Sequence, residues 1–404
     1  MGLNAQPSGE RVHIGFFGLR NAGKSSVVNR VTGQTLSIVS DVKGTTTDPV
    51  QKAMELLPIG PVVIIDTPGI DDEGTLGEER VRRALRVLEK TDIAVLVTDS
   101  TRGLQPAEQE LIELFRKREI PFVIAHNKAD LTSVPAAMPE NEIYVSAAAD
   151  SNIRELKEII ARAVKPTEPE KRLVADLLAP NDTVVLVVPI DSAAPKGRLI
   201  LPQQQTIRSL LDAGCIPVVT RETELTRTLS LLREPPALVV TDSQAFGMVS
   251  RIVPDSVRLT SFSILFARYK GDLRTAVLGA AALRQLKDGD TVLISEGCTH
   301  HRQCGDIGTE KLPRWVRQYT GRDIRFVFTS GGEFPENLSP YALIIHCGAC
   351  MLGEREMQSR LRRAAEQCIP VTNYGIAIAQ IHGILDRALR PFSALHAEWK
   401  KQQQ

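Results

Sequence analysis

The sequence has few aromatic residues and almost no net charge. Phe, Trp and Tyr make up 4% of its 404 residues, and 49 Lys and Arg stand against 48 Asp and Glu. Proteins that bind nucleic acid usually combine a basic surface with aromatic side chains on which bases stack. The composition therefore argues against nucleic acid as the main partner.

Long apolar runs and a disulfide framework are also missing from the sequence. No run approaches the roughly 20 residues of a membrane-spanning helix, and the opening MGLNAQPSGER lacks the apolar core of a signal peptide. Four of the six cysteines fall in two short clusters, at 298–304 and 347–350. Such clustering indicates metal binding in a reducing compartment. We therefore expect a cytoplasmic protein with no membrane segment.

A phosphate-binding loop follows the first predicted strand, 11–17. Residues 18–25 read G-L-R-N-A-G-K-S, and a helical pattern begins after them. In this P-loop pattern backbone N–H groups surround the phosphates, the lysine reaches the β- and γ-phosphates, and the last hydroxyl binds Mg²⁺. Ser25 is therefore also a predicted Mg²⁺ ligand. The nucleotide-binding residues predicted here are Asn21, Ala22, Gly23, Lys24, Ser25 and Ser26.

The further motifs of a guanine-nucleotide site follow in order. Asp66 and Gly69 belong to D-T-P-G, where the carboxylate can hold Mg²⁺ through water and the glycine N–H can sense a γ-phosphate. Thr46 lies in a polar loop suited to closing over Mg²⁺. N-K-A-D at 127–130 supplies a carboxylate that can accept two guanine protons, a donor pair that adenine lacks. The base-binding residues predicted here are Asn127, Lys128, Asp130, Ser146 and Ala147.

Each motif occurs alone in ordinary polar loops, but five in this order argue against that explanation. The segment resembles the potassium-activated GTPases of the tRNA-modification and ribosome-assembly type, the TrmE/Era-like group. The resemblance implies a K⁺ ligand at Asn21, three residues before Lys24. Ile70 stands where Ras-like enzymes carry a water-orienting Gln, so we expect slow hydrolysis. The carboxylates that are open candidates for polarising the water are Asp71, Asp72, Glu73, Glu78 and Glu79.

Apolar runs and helical patterns alternate along the chain and predict an α/β fold with mostly parallel sheets. The charged linker 165–171 contains two prolines and indicates a domain boundary. Near the end of the chain we predict one final helix at 377–389, and we expect the tail 400–404 to fray.

Two Cys/His clusters each follow an apolar strand in the last segment. One strand, 291–295, leads to Cys298, and another, 342–345, leads to Cys347 and Cys350. Because ligand sites of open α/β sheets form where the carboxyl ends of strands meet, we predict one shared metal site. Three thiolates suit either a closed zinc site or a [4Fe–4S] cluster. The residues that compete for the fourth position are His300, His301, Cys304, Asp306 and His346.

The GTPase segment is followed by three cysteine and histidine motifs: C-T-H at 298–300, H-H-R-Q-C-G-D-I-G at 300–308 and H-C-x-x-C at 346–350. This combination resembles the [FeFe]-hydrogenase maturation GTPases, the HydF family. The resemblance implies a P-loop GTPase domain at 1–168, a middle α/β dimerisation domain at 169–265 and a cluster-binding α/β domain at 266–404. It implies a [4Fe–4S] cluster on Cys298, Cys347 and Cys350. The candidates for fourth ligand or supporting residue are His300, His346 and Asp306.

The same resemblance implies a homodimeric scaffold that uses GTP, Mg²⁺ and K⁺. The scaffold would receive a di-iron subcluster precursor from two radical-SAM maturases and deliver it to apo-[FeFe]-hydrogenase. The alternative is a ribosome-assembly or tRNA-modification GTPase with a structural zinc domain. The near-neutral charge and scarce aromatics weigh against that alternative.

Overall fold

The computed structural model describes residues 8–33, 50–67, 85–164, 173–190, 199–297, 306–349 and 352–403. It divides into two compact units, Met1–Pro169 and Glu170–Gln404, and each is described by itself. In these described ranges no helix combines the length and the apolar character needed to cross a bilayer.

A six-stranded sheet forms the framework of the first unit. Its strands are β1 (Val12–Phe17), β2 (Val50–Leu56), β3 (Gly60–Asp66), β4 (Ile93–Asp99), β5 (Phe122–Asn127) and β6 (Glu142–Tyr144). Its helices include α1 (Lys24–Thr32), α2 (Pro106–Lys117) and α3 (Ile153–Ala163). The strand order is β2-β3-β1-β4-β5-β6, and every pair except β2 with β3 is parallel.

The central strands of this sheet are nearly continuous apolar runs because helices cover both of their faces. All seven residues of β4 are buried. Helices α1 and α3 pack on one face through Val28 and Leu156, and α2 packs on the other through Phe115. The edge strand β2 is not among the predicted strands, since its residues alternate between exposed and partly buried and include Gln51 and Lys52.

The second unit contains two four-stranded sheets, each parallel throughout. The first comprises β7 (Thr183–Val187), β8 (Ile216–Thr220), β9 (Leu238–Thr241) and β10 (Leu259–Ser261), in the order β10-β9-β7-β8. The second comprises β11 (Thr291–Ser295), β12 (Arg325–Thr329), β13 (Leu343–His346) and β14 (Val371–Asn373), in the order β12-β11-β13-β14. The predicted α/β class with mostly parallel sheets is confirmed.

Helices surround both sheets of the second unit. They are α4 (Leu201–Asp212), α5 (Leu225–Leu231), α6 (Phe246–Ile252), α7 (Phe262–Lys270), α8 (Leu273–Gly279), α9 (Leu312–Thr320), α10 (Glu354–Glu366), α11 (Tyr374–Ile381), α12 (Leu385–Leu389) and α13 (Ser393–Gln403). Short 3-10 helices span Ser8–Glu10, Ala129–Leu131, Ala175–Leu177, Glu222–Glu224 and Ala280–Arg284, and a π-helical turn spans Ile307–Lys311.

Two predictions near the end of the chain are wrong. The single helix at 377–389 is two helices, α11 and α12, separated at Gly383, whose φ of 70° lies in the left-handed region that favours glycine. Positions 400–403 of the tail expected to fray belong to α13, which runs from Ser393 to Gln403. Trp399, directly before the tail, packs against the buried cluster of the first sheet of this unit.

The last helices also connect the two sheets of the second unit. Ile376 and Leu389 belong to the same buried cluster as Val185 and Val239 of the first sheet. A Cβ on Gly375 would lie 2.4 Å from the Ser263 Cβ, so α11 and α7 approach closely only because glycine stands there. The predicted boundary between the middle and last domains, at 265, falls within α7. The division of this unit into two domains stays a prediction.

Candidate functional site

The P-loop joins β1 to α1 and is shaped by two residues with left-handed backbone. Asn21 has a φ of 66° and Gly23 a φ of 81°. A Cβ on Gly23 would lie 2.2 Å from the Asn127 side-chain nitrogen. Both the left-handed backbone and the lack of space for a Cβ therefore require glycine at this position. Helix α1 begins at Lys24, and its first turn carries the partial positive charge that favours a phosphate.

Two of the predicted phosphate and Mg²⁺ residues converge beside this loop. β1 and β3 are parallel neighbours, and Phe16 pairs with Asp66. The Lys24 ammonium contacts the Asp66 carboxylate, and both side chains are buried. Ser25 and Ser26 occupy the first turn of α1. Thr46 and Gly69 lie outside the described residues.

Asn127 connects three of the predicted nucleotide motifs. Its side-chain nitrogen donates to the Ala22 carbonyl oxygen at 3.0 Å, and its side-chain oxygen accepts from the Ala147 N–H at 3.1 Å. The amide is 4% exposed. The P-loop and the loop after β6 are therefore both attached to the carboxyl end of β5.

The residues predicted to read the base are held in the same region. The Ser146 hydroxyl donates to the Asp130 carboxylate at 2.5 Å, and Lys128 donates to Asp99 at 2.5 Å. Burial raises the pKa of Asp99, but hydrogen bonds from Lys128 and Thr101 outweigh it and lower that pKa to about 2. Sequence reasoning missed Asp99, although a carboxylate at the end of the fully buried β4 could have signalled it.

The second candidate site lies at the carboxyl ends of β11 and β13. These strands are parallel neighbours with Ser295 beside His346. The chain leaves β11 through α9 and leaves β13 through α10, and the two helices pack on opposite faces of the sheet. Such a change of direction opens a crevice outside the carboxyl ends of the two strands, where ligands of α/β sheets bind.

Cys347 lies in this crevice next to Gly297, the last described residue before the first cysteine cluster. Its sulfur accepts the Gly297 N–H at 3.0 Å and the Ala349 N–H at 3.4 Å. Gly297 directly precedes Cys298 in the sequence. Ala349 adopts a φ of 53°, an uncommon conformation for a non-glycine residue, so the chain bends sharply just after this N–H.

The other two predicted thiolates, Cys298 and Cys350, lie outside the described residues, as do His300, His301 and Cys304. Within the described part of the chain, no group of three or more His, Cys, Asp and Glu side chains is arranged to hold a metal. The structure therefore brings Gly297 to Cys347, and the convergence of three sulfurs stays a prediction.

His346 is almost completely buried, with 1% of its surface exposed. Its Nδ1 lies 2.9 Å from the Cys347 carbonyl oxygen, and its Nε2 lies 3.0 Å from Nη1 of Arg360. Burial, together with the Arg360 charge, lowers the pKa of His346 to about 3. Sequence reasoning missed Arg360, although it lies between Met357 and Leu361 on the buried stripe of α10, an unusual place for an arginine.

Acidic and phenolic groups border the same crevice. Asp306 caps the π-helical turn by accepting from the Thr309 N–H at 2.9 Å and the Thr309 hydroxyl at 3.0 Å. The buried Glu296 accepts from the Tyr374 hydroxyl at 3.2 Å. Burial, reinforced by the charges of Glu296 and Cys347, raises the pKa of Tyr374 far above its usual range, so Tyr374 stays a donor.

A pocket borders the Cys347 turn on the side of α7. Its wall includes Phe266, Lys270, Met357 and Val371. Lys270 is buried and donates to the Leu352 carbonyl oxygen at 3.3 Å, just beyond the second cysteine cluster. Helix α7 thus contributes a side-chain donor next to this turn.

Comparison with known proteins gives the class of the first unit. Residues 13–128 match the model of the 50S ribosome-binding GTPase family. The tRNA modification GTPase MnmE of Legionella pneumophila (strain Paris) is 36% identical over 155 residues, which are 37% of this chain and 34% of that protein. GTPase Der of Maridesulfovibrio salexigens is 41% identical over 125 residues, which are 30% of this chain and 27% of that protein. The chain spans about a third of the length of the first of these relatives.

Among solved structures, a probable GTP-binding protein engB aligns with 38% of this chain and 98% of its own, at 25% identity and a TM-score of 0.30. The family match and the motifs define a P-loop GTPase, which supports GTP hydrolysis with GTP and Mg²⁺ as ligands. Residues 173–271 match the hydrogen maturase F dimerization domain, and residues 274–391 match the hydrogen maturase F tetramerization domain. The chain belongs to the HydF family, and both matched domains support oligomerisation.

Proposed function

We propose that this chain is a GTP-hydrolysing scaffold of [FeFe]-hydrogenase maturation that holds a [4Fe–4S] cluster on Cys298, Cys347 and Cys350. Its substrate is a di-iron subcluster precursor, received from radical-SAM maturases and delivered to apo-[FeFe]-hydrogenase in the cytoplasm. The observation that carries the proposal is the Gly297 N–H donating to the Cys347 sulfur at 3.0 Å. This contact joins Gly297, the residue before Cys298, to Cys347 of the second cluster, and both lie within a domain matched by the family.

The residues of the crevice fit an iron–sulfur cluster. Soft thiolates are its ordinary ligands, and N–H groups directed at a ligating sulfur are among the features that set a cluster's potential. A cluster held by three cysteines supplies one iron whose remaining ligand can exchange. His300 and Asp306 remain candidates for that ligand, and His346 suits a supporting role because both of its ring nitrogens are already engaged.

The first unit supports the nucleotide half of the proposal. Lys24, Ser25 and Asp66 would hold the phosphates and Mg²⁺, with Thr46 and Gly69 as further contacts, while Asp130 would read guanine. Asn21 would bind K⁺, and turnover would be slow without a water-orienting Gln. We further propose that GTP and GDP favour different arrangements of the homodimer and so bias the docking of its protein partners.

Anaerobic reconstitution with iron and sulfide tests the cluster directly. We expect a brown protein with about four irons and four sulfides per chain, with an EPR signal after reduction. Cys347→Ser should lose the cluster and keep GTP turnover, whereas Cys368→Ser, at an exposed cysteine beyond α10, should keep both. A colourless wild-type protein with one zinc per chain would refute the proposal and favour a structural zinc domain.

A further inference from the structure

Arg360 connects the ends of three neighbouring strands beneath the candidate cluster site. Its Nη1 lies 3.0 Å from the His346 Nε2, at the end of β13, and 3.4 Å from the Ser295 hydroxyl, at the end of β11. Its Nη2 donates to the Gly331 carbonyl oxygen, just after β12, at 2.7 Å. The side chain is 4% exposed.

The position of this guanidinium is fixed by its surroundings. Nη2 also donates to the Glu356 carboxylate at 2.8 Å, one turn earlier on α10. The Phe334 ring lies against the guanidinium, 5.2 Å from its carbon to the ring centroid. A buried arginine held by an ion pair, a carbonyl and an aromatic ring has few alternative orientations, so its contact with His346 is well defined.

The contact with the Arg360 guanidinium determines which nitrogen of His346 carries hydrogen. A guanidinium donates and does not accept, so the His346 Nε2 must accept. The remaining hydrogen then lies on Nδ1, which donates to the Cys347 carbonyl oxygen at 2.9 Å. The Nε2 lone pair, through which an imidazole could bind iron, is thereby directed at Arg360.

We propose that Arg360 is a positioning residue of the cluster site, which keeps His346 from binding iron and so reserves the non-cysteine position for an exchangeable ligand. This inference rests on the proposed function. In this arrangement His346 fixes the backbone of Cys347 instead of competing for the metal. The exchangeable position is then available to a ligand from outside the H-C-x-x-C turn.

Arg363 provides a matched control on the same helix. Its guanidinium stacks on the same Phe334 ring at 5.7 Å and donates to the carbonyl oxygens of Phe334 and Pro335 at 3.3 Å. Arg363→Leu therefore removes an equal charge and an equal stacking contact. Arg360→Leu removes, in addition, the donors to His346, Ser295 and Gly331 and the ion-pair partner of Glu356, and leucine supplies neither a donor nor a metal ligand.

The test uses the full chain after anaerobic reconstitution, with histidine nitrogen labelled by ¹⁵N. Pulsed EPR of the reduced cluster detects hyperfine coupling between the cluster and a bound ¹⁵N nucleus. We expect no such coupling from His346, so wild type and His346→Gln should give the same spectrum. Arg360→Leu should gain a nitrogen coupling, which the double variant Arg360→Leu/His346→Gln loses. Arg363→Leu should resemble wild type.

Binding of free imidazole to the cluster gives a second readout. In Arg360→Leu, His346 competes for the exchangeable position. The affinity of the cluster for free imidazole should therefore fall roughly ten- to a hundred-fold, the range of the charge-assisted hydrogen bond that no longer holds His346 away. The double variant should recover wild-type affinity. The inference would be overturned if Arg360→Leu showed the same nitrogen coupling and the same imidazole affinity as the wild-type protein.

Two controls separate the possible failures. A wild-type coupling that His346→Gln abolishes would show that the histidine already binds iron, and this result overturns the inference even if Arg360→Leu does not fold. A wild-type protein that forms no cluster would refute the proposed function itself. Formation of a cluster with no effect of Arg360 would refute the positioning role alone.

Discussion

Replacing Asn127 by alanine is expected to weaken nucleotide binding strongly, because this side chain attaches two loops to β5. The substitution leaves the Ala22 carbonyl oxygen without the donor that lies 3.0 Å away and the Ala147 N–H without the acceptor at 3.1 Å. Both residues are buried, at 0% and 5% exposure. Neither backbone group gains another partner unless the loop moves or water enters.

The size of the effect follows from these two contacts. A buried polar group that loses its partner costs about 1–3 kcal/mol, so two such groups amount to about 2–6 kcal/mol. Water entering from the side of the nucleotide reduces this cost, and we expect about 2–4 kcal/mol. Bound nucleotide must then restore the loop conformation, so its Kd should rise about 30- to 1,000-fold.

Titration with a fluorescent GDP analogue measures this change in Kd. Asn141→Ala is the control, because that asparagine precedes β6 and its amide reaches the Phe122 carbonyl oxygen only at 3.5 Å. The control should change the Kd by less than about three-fold, since so long a contact contributes little. If Asn127→Ala binds within three-fold of wild type, the reasoning that this amide organises the site is refuted.

Two further predictions concern the same unit. Asp130→Asn should relax the preference for GTP toward xanthosine triphosphate, because an amide can donate where the carboxylate accepts, and unchanged selectivity would remove Asp130 from this role. K⁺ in place of Na⁺ should raise GTP turnover. Asn21→Gly, which suits the φ of 66° but lacks the amide, should abolish that effect, and a wild type indifferent to the cation would exclude the K⁺ site.

The strands that carry the motifs could be predicted from sequence because they are buried on both faces. The predicted strand at 291–295 coincides with β11. The predicted run at 342–345 is displaced by one residue from β13, which spans Leu343–His346. β2 could not be found by the same signal, since an edge strand with one solvent-exposed face carries polar residues. The break at Gly383 was missed because the helical period continues across it.

Contacts between distant segments explain what sequence reasoning missed at the sites. The motif N-K-A-D identifies Asn127, but nothing local shows that its amide reaches residues 105 and 20 positions away. Arg360 lies 14 residues after His346 on a helix that otherwise resembles a solvated surface helix. A charged residue on a buried helical face was the available signal, although the partner of such a residue depends on the fold.

Both candidate sites are organised by one buried polar side chain that connects the ends of several parallel strands. Asn127 does so for the loops after β1 and β6, and Arg360 for the ends of β11, β12 and β13. Such groups add little net stability relative to well-packed apolar side chains, because burial costs them hydration, but a fully bonded one excludes alternative loop arrangements. A loop that must position phosphates or thiolates within a few tenths of an ångström needs this specificity more than it needs apolar packing. Substituting either side chain should therefore impair binding at its own site before it unfolds the unit that contains it.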